Sequence, residues 1–164
     1  MYSGIYVFEG IDNVGKTTIV QKLKEKICET TEYECTIVAF PGNAPRTLGS
    51  LVYDIYHNQK KYFEESLNET SLQLLHIASH IDLLQRKLRK LNSEKSIVLL
   101  DRYWWSTYVY GTVGGMEKNI IQAIIEPELL HWKDINVKKI FLLERDNREH
   151  DYEEVKRQKN RGSL

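Results

Sequence analysis

Apolar and polar positions follow two rhythms along this chain. Ile5-Tyr6-Val7-Phe8 is a short β-branched and aromatic run, the pattern of a buried strand. From Ile19 to Ile27 the apolar residues return every three or four positions, as on one face of a helix. Thr36-Ile37-Val38-Ala39-Phe40 predicts a second strand, stopped by Pro41-Gly42. Beyond Pro45, Leu48 to His57 reads as a helix. A polar stretch from Asn58 to Glu65 then leads to the longest helical segment, about Glu69 to Leu91. There Leu74, Ile77, Ile81, Leu84 and Leu88 form one stripe, widened by Leu72, Leu75, Ala78 and Leu91. A stripe this wide serves a core on one side and a partner on the other. Ser96-Ile97-Val98-Leu99-Leu100 predicts a third strand ending at Asp101-Arg102-Tyr103. Ile120 to Leu130 reads as helical, with Pro127 allowing a kink or break. Lys139-Ile140-Phe141-Leu142-Leu143 predicts a fourth strand. From Glu144 the charges crowd in both signs, the mark of a solvated helix.

Strands alternating with helices place the chain in the α/β class, with a parallel sheet and helices on both faces. Functional residues are then expected at the carboxyl ends of the strands. No repeat, low-complexity tract or linker divides the sequence, so residues 1–164 are expected to form one domain with a real core. Lys plus Arg balances Asp plus Glu at 23 each, which gives no electrostatic footprint for nucleic acid or an anionic membrane. Cys28 and Cys35 are too few for a disulfide framework and read as reduced thiols, and Met1-Tyr2-Ser3-Gly4 runs straight into the first strand. The expected location is cytoplasmic.

Candidate chemistry concentrates in Gly10-Ile11-Asp12-Asn13-Val14-Gly15-Lys16-Thr17-Thr18. This matches the phosphate-binding loop pattern, Gly, four residues, Gly-Lys-Ser/Thr, at every fixed position, between a predicted strand and a predicted helix. That arrangement aims backbone N–H groups and the positive end of a helix at a phosphate. Gly10 and Gly15 allow a tight turn and close approach. Lys16, expected on the solvent side of the loop, reaches the β- and γ-phosphates; Thr17 offers its hydroxyl to Mg²⁺, and Thr18 adds a hydroxyl near another phosphate. Arg102, at a strand end nearby, is placed to bridge donor and acceptor phosphates and to follow the transferring charge. Asp101 could hold the Mg²⁺ water shell opposite Thr17.

With these points in place the chain resembles the thymidylate kinases, within the P-loop nucleoside monophosphate kinases. Phe8-Glu9-Gly10-Ile11-Asp12 with Gly15-Lys16-Thr17-Thr18 is similar to that family's opening. Phe40-Pro41 resembles its second-strand motif, Asp101-Arg102-Tyr103 its third-strand motif, and Val155 to Gly162 the entry to its arginine-bearing lid. The resemblance implies Mg²⁺ and ATP as phosphoryl donor, a (deoxy)nucleoside monophosphate such as dTMP as acceptor, and a homodimer packed through helices of the Glu69–Leu91 region, with some of Leu72, Leu75, Ser79 and Leu83 near the contact. It implies that Asp12 meets the acceptor's sugar hydroxyl with Glu9 supporting that corner. Lys16, Arg102 and Asp12 then form the catalytic set. Residues 10 and 13–18, Asn13 and Val14 among them, hold the nucleotide. Phe40, His76, His80 and Tyr108 join Glu9, Asp12 and Arg102 on the acceptor side, and Arg157, Arg161 or a residue beyond 164 supplies the lid charge. The expected strand order is 2-3-1-4, the fourth strand at an edge because a fifth is missing.

The sequence also departs from that pattern. Ala39 precedes Phe40-Pro41 and Gly42-Asn43 follows, where relatives usually carry an arginine; Arg46 lies further on. His76 and His80 hold the positions of an aromatic residue and an arginine, with surface histidines as the plainer explanation. In Trp104-Trp105-Ser106-Thr107-Tyr108-Val109-Tyr110-Gly111 the aromatics stack on a base or form helix core, core being the expectation for Trp104 or Trp105. The sequence ends at Gly162-Ser163-Leu164, inside the lid on the family pattern, from which a poor enzyme is expected. Two alternatives stay open: a nucleoside kinase with altered acceptor, and a nucleotide-binding module with weakened catalysis.

Overall fold

The computed structural model describes residues 3–42, 44–88 and 95–145. Its elements run β1 (Gly4–Glu9), α1 (Lys16–Thr30), β2 (Glu34–Ala39), α2 (Leu48–His57), the short α3 (Gln59–Tyr62), α4 (Glu69–Arg86), β3 (Ser96–Asp101), α5 (Trp104–Val113), α6 (Lys118–Trp132) and β4 (Val137–Leu142). The sheet order is β2-β3-β1-β4 and all three pairings are parallel, as the sequence predicts. β1 therefore lies inside the sheet and β4 at its edge.

Alternation along the strands sorts the core into two layers. Ile5, Val7, Val98 and Leu100 face one cluster, which takes Leu84 from α4 and Trp132 from α6. Tyr6, Phe8, Ile97 and Leu99 face the other, which takes Val20 and Ile27 from α1. A period of two places successive residues on opposite faces, so helices cover both sides and the central strands are buried along their whole length. The edge strand β4 is correspondingly half-exposed.

The differences from the sequence reading are local. α6 runs through Pro127 without breaking and extends to Trp132. Its apolar stripe Ile121, Ile125 and Trp132 is anchored in the core, which outweighs the lost hydrogen bond of one proline. α5 forms over the aromatic run from Trp104, where helix core was one of two readings the sequence left open. Trp104 packs against the core, whereas Trp105 is exposed. On α4, Leu72 and Ser79 are buried in the core, Leu75 and Leu83 are half-buried and Leu74 is exposed, so of the four positions expected near a partner only Leu75 and Leu83 border the outward face. The expected end of that helix at Leu91 and the charged segment after residue 145 lie outside the described residues. Cys28 and Cys35 are both free thiols. Among the described residues no helix is long and apolar enough to cross a membrane.

α2 is seated by its second residue. A Cβ on Gly49 would lie 1.9 Å from the Pro41 carbonyl oxygen, so only glycine lets the helix touch the turn after β2. Thr47 closes the same end as a capping box with Ser50.

Candidate functional site

The loop leaves the carboxyl end of β1, between the ends of β3 and β4. Gly10 has φ 148, and a Cβ there would lie 2.5 Å from the Leu143 carbonyl oxygen after β4. The β4 end thus presses against the loop from behind and fixes a glycine at its first position. Asn13 takes the left-handed conformation at φ 63, tolerated by asparagine better than by most residues. Gly15, also left-handed, caps α1. Val14 is buried under the loop, while Asn13, Thr17 and Thr18 are exposed along its rim.

Lys16 differs from its expected solvent-side position. It is only 6% exposed, and its Nζ donates to the carbonyls of Gly10 and Ile11 at 2.8 Å each. The ammonium is held by the loop's own backbone. Burial, and the neighbouring Arg102 charge, bring its pKa below the ordinary lysine value.

Two groups from the end of β3 complete the site. Thr17 donates its hydroxyl to Asp101 Oδ2 at 2.9 Å. This sets two hard oxygen donors side by side at the start of α1, a set that suits Mg²⁺, which takes one or two protein oxygens beside substrate phosphates. Among the described residues no cluster of three or more His, Cys, Asp or Glu could hold a metal alone. Arg102 follows in the left-handed region at φ 75, unfavourable for a side chain of this size. Its N–H donates to the Phe8 carbonyl at 3.0 Å, and the next N–H, of Tyr103, donates to the Glu9 carboxylate at 3.0 Å. Strand β1 therefore holds the turn that aims Arg102.

Glu9, Asp12 and Arg102 belong to one network. Ser106 donates to Glu9 and accepts from Arg102 at 3.2 Å. Arg102 pairs with Asp12, whose other oxygen accepts the Tyr110 hydroxyl at 2.7 Å. The guanidinium lies over the Tyr110 ring, 5.6 Å from its centre. Burial raises the Glu9 carboxyl above its ordinary value, against the hydrogen bonds from Ser106 and Tyr103. At Asp12 burial also pushes upward, but the Tyr110 hydroxyl and Arg102 outweigh it and hold the carboxyl low. Burial and the bond to Asp12 push the Tyr110 hydroxyl up to about 12, so it stays a donor.

Of the acceptor-side residues, Phe40 and His80 lie stacked, 4.1 Å between ring centres. His76 and His80 are neighbours one turn apart on α4, with rings 6.3 Å apart, and neither is exposed, which excludes the surface-histidine alternative. Burial, with His80, Arg102 and His57 nearby, pushes His76 down to about 4. The structure separates Tyr108 from the Arg102 network and packs it against Ile77, Ile121 and Ile125. Ser106 and Tyr110 stand one turn apart on α5 and share the face toward β1; a residue midway between them turns to α4 and α6. Arg46 is exposed, also at positive φ. Arg157 and Arg161 lie outside the described residues.

Sequence reasoning passed over Ser106, Tyr110 and Glu128. The signal for Glu128 was present: a carboxylate in register with Ile121, Ile125 and Trp132, where the helical period calls for a hydrophobe. Thr107 carries a buried hydroxyl oxygen without a hydrogen-bond partner.

A family model described as Thymidylate kinase matches residues 8–161. The chain is similar to the thymidylate kinase of Acinetobacter baylyi, 31% identical over 131 residues, which cover 78% of this chain and 61% of that protein. It is similar to a probable thymidylate kinase of Methanocaldococcus jannaschii, 32% identical over 118 residues, covering 72% of this chain and 55% of the relative. The chain thus spans little more than half the length of these curated relatives. Among solved structures, a thymidylate kinase from Ehrlichia chaffeensis aligns with a TM-score of 0.66 at 24% identity, covering 92% of this chain and 81% of that one. The thymidylate kinase of Candida albicans aligns at 0.65 and 23% identity, covering 92% and 66%. These two likenesses concern the fold alone.

Proposed function

This chain belongs to the thymidylate kinase family, and from that premise we propose that it transfers a phosphoryl group from ATP to a pyrimidine deoxynucleoside monophosphate, dTMP above all. The observation that carries the reading is the meeting of loop and strand ends. The loop from Gly10 to Thr18 and the Asp101–Arg102 turn are joined directly by the Thr17–Asp101 hydrogen bond. Phosphoryl transfer asks a protein mainly to hold two anionic groups in line and to stabilise the charge on the transferred group.

In this assignment the loop backbone and Lys16 hold the donor phosphates, with Thr18 beside them. Lys16 exchanges the Gly10 and Ile11 carbonyls for phosphate oxygens. Thr17 and Asp101 would hold Mg²⁺, which would supply positive charge at the donor phosphates. Arg102 bridges donor and acceptor phosphates. Asp12 takes the acceptor's sugar hydroxyl, and Glu9 with Ser106 keeps Arg102 in place. Phe40, His76 and His80 form the base side. The protein acts in the cytoplasm as a homodimer, and an arginine of the lid, Arg157 or Arg161, adds charge once both substrates are bound.

The test is turnover with Mg²⁺-ATP against a panel of monophosphates and nucleosides. Preferential phosphorylation of dTMP supports the reading. Turnover of nucleosides alone would give the nucleoside kinase, and ATP binding without transfer to any of them the binding module.

A further inference from the structure

The two cations of the site are both held by one short stretch of the loop. Lys16 Nζ donates to the Gly10 and Ile11 carbonyls at 2.8 Å each. Arg102 gives one terminal nitrogen to Ser106 at 3.2 Å and the other to Asp12 Oδ1. The second Asp12 oxygen accepts the Tyr110 hydroxyl at 2.7 Å. Asp12 follows Ile11 directly, so residues 10–12 accept from Lys16 and Arg102 side by side.

The Arg102–Asp12 pair is unequal. The Arg102 side chain is 21% exposed and that of Asp12 64%. Ser106 and the Tyr110 ring hold the guanidinium from within. The carboxylate is the partner that reaches water, and a pair so open contributes little to stability. A phosphate carries more charge than a carboxylate and matches the guanidinium fork with two oxygens. It therefore competes well with the single Asp12 oxygen.

We propose that Asp12 stands on Arg102 in the place of a phosphate, and that the donor's γ-phosphate displaces it, so that ATP binding completes the acceptor site. This rests on the assignment of Arg102 to the bridging position and of Asp12 to the acceptor's sugar hydroxyl. A carboxylate neutralised by a guanidinium is a weaker acceptor than a free one, because charge-assisted bonds are the stronger. Once Arg102 turns to the γ-phosphate, Asp12 Oδ1 is free for the hydroxyl, while Tyr110 still holds Oδ2 in position. A diphosphate lacks the group that displaces Asp12 and leaves the pair closed. The acceptor is then held tightly only beside a donor with a phosphoryl group to give, and linkage makes the effect mutual.

The experiment is calorimetry on the whole chain. Affinity for dTMP is measured alone, with Mg²⁺ and the non-transferring β,γ-imido analogue of ATP, and with Mg²⁺-ADP. The analogue should tighten dTMP binding about tenfold, and ADP should leave it unchanged. Nitrogen NMR of the arginine side chains should show the Arg102 signals moved by the analogue alone and not by ADP. In Asp12→Asn the analogue should gain affinity relative to ADP, since no carboxylate competes, and its effect on dTMP should vanish. Equal effects of analogue and ADP on dTMP overturn the proposal, as do Arg102 signals that the analogue does not move. The wild-type measurements decide the matter even if Asp12→Asn does not fold. Phosphorylation of dTMP without any difference between analogue and ADP would sink this proposal and leave the kinase reading standing. Arg102 moved by the analogue and not by ADP, without transfer to dTMP, would keep the exchange at Arg102 and remove the kinase reading.

Discussion

Glu9 and Tyr103 stand 94 residues apart, yet the Glu9 carboxylate accepts the Tyr103 backbone N–H at 3.0 Å. That bond closes the turn in which Arg102 adopts its left-handed backbone. Glu9→Ala should leave the Tyr103 N–H buried without an acceptor and cost about 1–3 kcal/mol of stability. Activity should fall further than stability explains, because a misaimed guanidinium no longer follows the transferring charge. Glu9→Gln keeps an acceptor oxygen and should lose less of both. Urea unfolding with kinetics on ATP and dTMP checks this, and a wild-type rate in a stable Glu9→Ala protein would sever Glu9 from Arg102.

The loop, the strand order and Arg102 were legible because each rests on local rules. Gly10 to Thr18 is a spacing, and the strands are short apolar runs between turn residues. What stayed hidden depends on contacts between distant residues. Tyr110 and Tyr108 look equivalent in the sequence, and only the packing of α5 sends one to Asp12 and the other to Ile77. Lys16 was expected in solvent because nothing local reveals the two carbonyls that hold it. Of the four α4 positions expected near a partner, Leu72 and Ser79 turn into the core, because a stripe's width does not tell which part of it faces inward.

Lys16→Ala should abolish most ATP-dependent turnover. The folded structure loses two hydrogen bonds to carbonyls that face the open loop, so a stability loss near the usual net value, about 1 kcal/mol, is expected. Unchanged turnover in a cooperatively folding mutant would rule the loop out as the donor site.

Arg102→Ala should lower kcat by orders of magnitude while ATP binding weakens far less. Interactions made mainly in the transition state behave in this way. An effect confined to the KM for ATP would place Arg102 on the donor alone.

His76 makes stability depend on pH. Its folded value of about 4 lies below the ordinary 6.5, chiefly through burial. Between those values the unfolded chain binds a proton that the folded chain does not. The contribution is therefore complete above about pH 6.5 and is lost as pH falls toward 4, at up to ~1.4 kcal/mol per unit. Glu9 works the other way, since its raised carboxyl lets the folded state bind the extra proton. The difference between wild type and His76→Gln isolates the histidine. Urea midpoints at a series of pH values should show a shallower slope in the variant, and identical slopes would mean that His76 titrates normally.

The last prediction concerns association. α2 packs on α4, and together they leave Leu51, Tyr53, Tyr56 and Leu74 exposed. The proposed homodimer would pack as a two-fold contact through helices of this region. Leu72 and Ser79 are consumed by the core, so the contact should instead centre on Leu74 and Ala78, with half-buried Leu75 and Leu83 at its border. A stable two-fold contact covers roughly 800 Å² on each partner, more than one helix face offers, so α2 must contribute as well. Leu74→Glu then places a charge beside its own symmetry-related copy at the middle of the contact. Desolvation and like-charge repulsion act together there. The wild-type chain should sediment as a dimer at micromolar concentration and Leu74→Glu as a folded monomer, whereas Leu72→Ala should lose stability without dissociating at the same concentration. A wild-type monomer would remove the dimer, and a Leu74→Glu dimer of unchanged affinity would move the contact to another face.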